Sequence, residues 1–150
     1  MTVGNITQLT EKSAPLPMGD IRKLFGVEGK TFRNPDISEF LTQLASGKPQ
    51  DANAVRFYMW ALELDPDNAE AHNGLGRVAL AKHDYVTAEK HFRDACKASV
   101  DRPVYHVNRS VALQRMGNLD EALMAAAGAT HMKDCLPAAY VQMVSIEEEL

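Results

Sequence analysis

Between residues 69 and 102 apolar and small side chains recur at a helical period on two successive segments. Leu75, Gly76 and Ala79 share one face of the first. In the second, Tyr85, Ala88, Phe92, Ala95 and Cys96 follow one another at spacings of three, four, three and one, the stripe that a half-buried helix requires. The pattern predicts a helix, a turn and a second helix. Shifting by 34 residues reproduces it over 103–136, where Ser110 takes the place of Gly76 and Ala122, Ala126 and Ala129 take those of Ala88, Phe92 and Ala95. The segment Gly117-Asn118-Leu119-Asp120-Glu121-Ala122-Leu123 supplies that turn and the start of its second helix. Shifting backward gives 35–68, with Leu41, Ala45, Ala54, Tyr58 and Ala61 in register and Pro66 ending the second helix. Forward, Pro137 opens a last helix over 137–150 with Tyr140 in register.

The expected fold class is therefore all-α: three helix-turn-helix repeats, at 35–68, 69–102 and 103–136, and a C-terminal capping helix. A single repeat of this kind cannot bury its apolar face alone, and stacking of neighbours supplies the missing contacts. Small residues at Gly76 and Ser110 let the two helices of a hairpin approach closely. Two places depart from the pattern. Gly47, Lys48 and Pro49 interrupt the end of the first helix, which predicts a short helix and an unusual turn. Glu147, Glu148 and Glu149 place negative charge at the C-terminal end of the last helix, where it opposes the helix dipole. Residues 1–34 do not join the repeat. Pro15, Pro17, Gly19, Gly26 and Gly29 punctuate them, leaving one short amphipathic piece, Asp20 to Phe25, with Ile21, Leu24 and Phe25 on one side. A partly flexible leader is expected there, packed on the first repeat or docked as an arm in a groove of its own or a second copy.

The small residues at repeat positions 8, 20 and 27, with Pro66 at 32, closely resemble the tetratricopeptide repeat family over residues 35–150. The resemblance implies a right-handed superhelix whose concave inner wall is lined by the first helix of each repeat. At the family's inner-wall positions stand Asn73, Arg77 and Leu80 in the second repeat and Val104, Val107, Asn108, Val111 and Arg115 in the third. These eight are the candidate partner-binding residues. Val104, Val107 and Val111 share a helical face apart from Leu113 and are expected to form an exposed apolar floor, since such strips mark contact sites. Arg77 and Arg115 would hold carbonyls or acidic groups of a guest, and Asn73 and Asn108 its main chain. Family members that hold the acidic tails of heat-shock chaperones use a Lys, Asn, Asn, Lys, Arg set. Read from the second repeat, this chain offers Asn73, Arg77, Asn108, Ala138 and Gln142, matching at Asn108 alone, so that clamp is not expected. In outline the chain is more similar to bacterial type III secretion chaperones of translocator proteins: a leader, three repeats and a final helix.

Composition narrows the function further. The 150 residues carry a formal charge of −4, unevenly spread, and the body beyond the slightly basic leader lacks a basic stripe for nucleic acid. No run approaches the roughly 18 to 20 apolar residues of a membrane span, and Met1 to Thr10 lacks the pattern of a secretory signal. A cytoplasmic setting without membrane insertion is expected. Cys96 and Cys135 lie far apart, which suggests buried thiols rather than a disulfide framework or zinc site. His72 and His106 share repeat position 4 and read as packing residues, while His83, His91 and His131 form no ligand cluster. Gly74-x-Gly76-x-x-Ala79 lies within a helix with no strand before it and is no dinucleotide fingerprint. With no nucleophile paired to a base, no enzyme activity, metal or cofactor is expected. The leading expectation is a module that holds an extended peptide or partner segment, as an adaptor or a secretion or assembly chaperone. The alternative is a scaffold that associates with itself, as a homodimer for instance, through the leader or the terminal helix.

Overall fold

The computed structural model describes residues 35–47 and 53–150. Among the described residues there are seven helices and no strand: α1 Pro35–Gly47, α2 Ala54–Leu64, α3 Ala69–Ala81, α4 Tyr85–Ala98, α5 Pro103–Arg115, α6 Leu119–Thr130 and α7 Pro137–Glu149. The leader, with its Asp20 to Phe25 segment, and the turn at Lys48-Pro49 lie outside them. The chain divides into two compact parts, one ending at Pro66 and one starting at Asp67, and each is described by itself.

In the first part α1 and α2 pair through Leu41, Ala45, Ala54, Tyr58 and Ala61, all buried. Ser38 Oγ donates to the carbonyl of Ala61 at 2.7 Å. The sequence predicts a short α1, yet it spans 13 residues, as many as α3 and α5. Its four buried side chains, Ser38, Leu41, Thr42 and Ala45, keep a helical spacing up to the last turn. Gly47 occupies the final position, where its low helix propensity costs little.

The second part stacks α3 to α7, each packed on the next. Helix starts are well specified. Asn68 Oδ1 accepts from the backbone N–H of Ala71 at 2.9 Å, Asp84 Oδ1 accepts from that of Thr87 at 3.2 Å, and proline opens α5 and α7. The bond to Thr87 holds the Asp84 carboxyl below its usual range. Within the α3–α4 hairpin the helices approach so closely at Gly76 that a Cβ there would lie 2.5 Å from the Phe92 ring. The corresponding contact in the next hairpin is a hydrogen bond from Ser110 Oγ to the carbonyl of Ala122 at 2.8 Å. The core follows the same alternation. Ala79, Ala88, Phe92 and Ala112 form one cluster, and Leu113, Ala122, Ala126 and Ile146 another.

The two hairpin turns are built alike. Asp84 N bonds to the carbonyl of Ala79 and His83 N to that of Leu80, as Asn118 N does to Leu113 and Gly117 N to Gln114, all at 3.0 Å. Both turns need one residue in the left-handed region. Gly117 meets that need with φ 83°, whereas His83 adopts φ 62° with a side chain, a conformation that costs a non-glycine residue about 1–2 kcal/mol.

Two stability predictions follow from these contacts. Gly76→Ala should lower the unfolding free energy by about 1–3 kcal/mol, because overpacking against Phe92 outweighs the gain of about 1 kcal/mol in helix propensity. His83→Gly should raise it by about 0.5–1 kcal/mol, the relief of strain being partly offset by the looser unfolded chain and by loss of the exposed 2.9 Å bond between His83 Nδ1 and Tyr85 Oη. Urea titrations of the two variants against the parent check both signs.

Candidate functional site

The first helices α3, α5 and α7 lie in sequence along one face of the second part, and polar side chains run across it. Asn108 Nδ2 on α5 donates to Asn73 Oδ1 on α3 at 2.8 Å. Asn73 Nδ2 in turn donates to Glu70 Oε1 at 3.4 Å, and Tyr105 Oη donates to Glu70 Oε2 at 3.0 Å. One step further, Gln142 Nε2 on α7 donates to Gln114 Oε1 on α5 at 2.7 Å, while Gln114 Nε2 donates to Ser145 Oγ at 3.3 Å and to Glu149 Oε1. Burial, then the charge of Glu70, pushes the Tyr105 hydroxyl up to about 12, so it stays a donor.

The position of this ladder follows from the repeat length. Helices α3, α5 and α7 begin at Ala69, Pro103 and Pro137, and bonds from one to the next join residues about one repeat apart. Asn73 pairs with Asn108, Glu70 with Tyr105 and Gln114 with Glu149, each 35 residues on. Asn73 is 4% exposed and bonds to both Asn108 and Glu70. Asn108 is half-buried and spends one of its two N–H groups on Asn73.

Of the eight predicted groove residues, the structure brings Asn73 and Asn108 together and leaves Arg77 and Arg115 exposed. The valine floor is corrected. Val107 is only 8% exposed and packs with Ala129 of α6 and Ala139 of α7. Val104 lies half-buried against the Ala95, Cys96 and Tyr105 cluster, and Leu80 against the Phe92 cluster. Val111 is half-buried. The physical reason is that a first helix inside the stack has two neighbours on this side, its own second helix and the next first helix. Tyr105, Gln142 and Ser145 were missed: Tyr105 pairs with Glu70 35 residues back, a separation near one repeat, whereas Gln142 and Ser145 meet Gln114 at 28 and 31 residues, which the period does not signal.

Behind the face, Arg109 Nε on α5 donates to Glu89 Oε1 on α4 at 2.9 Å, and Arg93 approaches the other oxygen at 3.6 Å. Glu89 is buried, so this pair ties α4 to α5. Burial pushes the neighbouring Cys96 thiol up to about 11, which makes it an inert packing group. Two position-4 histidines differ in their contacts. His106 Nε2 meets the carbonyl of Val100 at 3.2 Å, while His72 Nδ1 meets His91 Nδ1 of α4 at 3.5 Å. Among the described residues, no three His, Cys, Asp or Glu side chains are placed to hold a metal, and no helix is long and apolar enough to cross a membrane.

Comparison with known proteins fits this geometry. The tetratricopeptide repeat family matches residues 57–90, from α2 through α3 into α4. Among curated proteins none matches the sequence. Several solved structures share the fold. The first tetratricopeptide domain of Spaghetti (RPAP3), bound to the HSP90 peptide SRMEEVD, superposes with a TM-score of 0.72 at 13% identity, covering 80% of this chain and 98% of that one. The Yersinia enterocolitica type III secretion chaperone SycD, in complex with a peptide of the translocator YopD, gives 0.67 at 19% identity over 77% and 96% of the two chains. A type III secretion complex from Aeromonas hydrophila gives 0.67 at 16% identity, covering 97% of each.

The histidine contact yields a prediction. Burial, and then the charge of His72, lowers the pKa of His91 below 6.5, Lys90 adding to this and Asp94 opposing it. A histidine that resists protonation in the fold but accepts it when unfolded stabilises the fold above 6.5 and loses that contribution below it. The melting temperature should therefore fall as pH drops through 6.5, and His91→Gln should flatten that dependence in a thermal-melt series.

Proposed function

We propose that this chain, built from tetratricopeptide repeats, holds an extended segment of a partner protein along the shared face of α3, α5 and α7. The observation that carries the reading is the amide ladder, above all the bond from Asn108 to Asn73 at 2.8 Å. Side-chain amides donate and accept equally, so they suit the main chain of an extended polypeptide, which presents N–H and C=O groups in alternation. By bonding to one another, these amides are fixed in place before a guest arrives, which reduces the entropy lost on binding. Arg77 and Arg115, both exposed, offer forked donors to carbonyls or carboxylates of the guest. Val111 supplies a half-buried apolar contact.

The role that fits is a non-enzymatic adaptor, or a chaperone that keeps a secretion or assembly client extended, in the cytoplasm. Support comes from relatives in fold whose partners are peptides: one carries an HSP90 peptide and another a translocator peptide. The heat-shock-tail reading is less favoured. Ala138 and Gln142 stand where that clamp carries its basic pair, and Gln142 is already bonded to Gln114.

The test is co-purification from the lysate of the chain's own host with the parent protein and an Asn108→Ala, Arg115→Glu variant that retains its helical circular dichroism. Removing two polar contacts of about 1–3 kcal/mol each should weaken binding roughly 30-fold or more and deplete one specific protein from the variant's eluate. An identical set of partners in both eluates would remove the groove from consideration.

A further inference from the structure

Helix α7 carries apolar residues on two opposite sides. One side holds Ala139 and Ile146, both buried against α5 and α6. The other holds Val141 and Val144, flanked by Tyr140, and these are 69%, 50% and 50% exposed. Pro137, Val141, Val144 and Glu148 succeed one another at spacings of four, three and four. That is the spacing of a seam between two paired helices.

The same register positions are covered one repeat earlier. Pro103, Val107 and Ser110 of α5 correspond to Pro137, Val141 and Val144 of α7, and all three are buried. Val107 is closed off by α6 and α7, and Ser110 bonds to the backbone of α6. The seam on α7 thus continues an interface that this protein already closes with a helix, but no described residue closes it here.

We propose that the occupant is the α7 of a second copy, packed antiparallel to make a two-fold symmetric dimer. The seam is complementary to itself in that direction. About the midpoint between Val141 and Val144, reversal brings Val141 of one copy onto Val144 of the other, and Glu148 onto Pro137. The acidic turn then gains a partner it lacks in its own helix. Glu147, Glu148 and Glu149 lie at the negative end of the α7 dipole, whereas the second copy presents the positive end of its α7, whose first turn contains no acidic residue. Just before that end Lys133 and Asp134 are both exposed and offset one another, so the helix terminus sets the sign. A parallel arrangement would instead set the two acidic turns side by side. Two-fold pairing also makes the interface closed, which limits assembly to a dimer. One helix seam is smaller than the contact of a stable permanent dimer, so the pair should form and separate with concentration. Val141 stands at the repeat position of Asn73 and Val107, so the pairing would cover the α7 end of the face proposed above to hold a guest.

Sedimentation velocity of the full chain over a wide concentration range tests it. The mass should move from one chain to two as concentration rises. Val141→Glu with Val144→Glu should remain a single chain at every concentration. Glu148→Lys should weaken association about 3- to 30-fold, as two symmetric helix-end contacts are lost. Both changes are at exposed positions, and circular dichroism verifies the fold. Should the double variant misfold, Glu148→Lys decides alone. A single-chain mass for the parent at the highest concentration would overturn the proposal, as would a parent-like dimer in either variant.

Discussion

The close approach of the two helices within a hairpin sets everything that follows. At Gly76 the backbone of α3 comes so near α4 that only a hydrogen fits beside Phe92, and Ser110 meets the α6 backbone directly. With first helices starting at Ala69, Pro103 and Pro137 and packed side by side, residues about one repeat apart become neighbours. The bond between Asn108 and Asn73 is a consequence of that arrangement. So is the pairing of Tyr105 with Glu70. Local backbone geometry, through a chain of packing steps, thereby decides which polar groups share a surface.

Much of this was legible in the sequence because the signal is periodic. Small residues at Gly76, Ala88, Ala95, Ser110, Ala122 and Ala129 recur at intervals of 34, and a fold made of equal modules repeats its constraints as visibly as its residues. Two readings failed where periodicity carries no information. The first was local. Gly47 and Pro49 suggested an early end to α1, but tertiary burial of Leu41 and Ala45 extends the helix through Gly47. The second was the valine floor. Helical spacing correctly placed Val104, Val107 and Val111 on one face, yet it says nothing about which neighbour covers a face, and α7 covers Val107. Tyr105 was overlooked because its role depends on a carboxylate 35 residues away.

The surface that results is more polar than the sequence suggested. Its centre is a set of amides and a carboxylate already bonded to one another, with Arg77 and Arg115 outside them. Such a surface suits the proposed recognition of a polypeptide main chain by side-chain amides better than it suits burial of apolar side chains. Glu89 and Arg109 tie α4 to α5 by an ion pair beneath the ladder.

Photo-crosslinking inside the host tests this account most directly, with a photoreactive residue placed in turn at Val111, Arg115, Val86 and Met124. The first two positions lie on the shared face of the first helices, while Val86 and Met124 are exposed on the second helices α4 and α6. Probes at Val111 and Arg115 should capture one contiguous segment of one protein, and probes at Val86 and Met124 should not. Capture of that segment from Val86 or Met124, with none from Val111 and Arg115, would contradict this account.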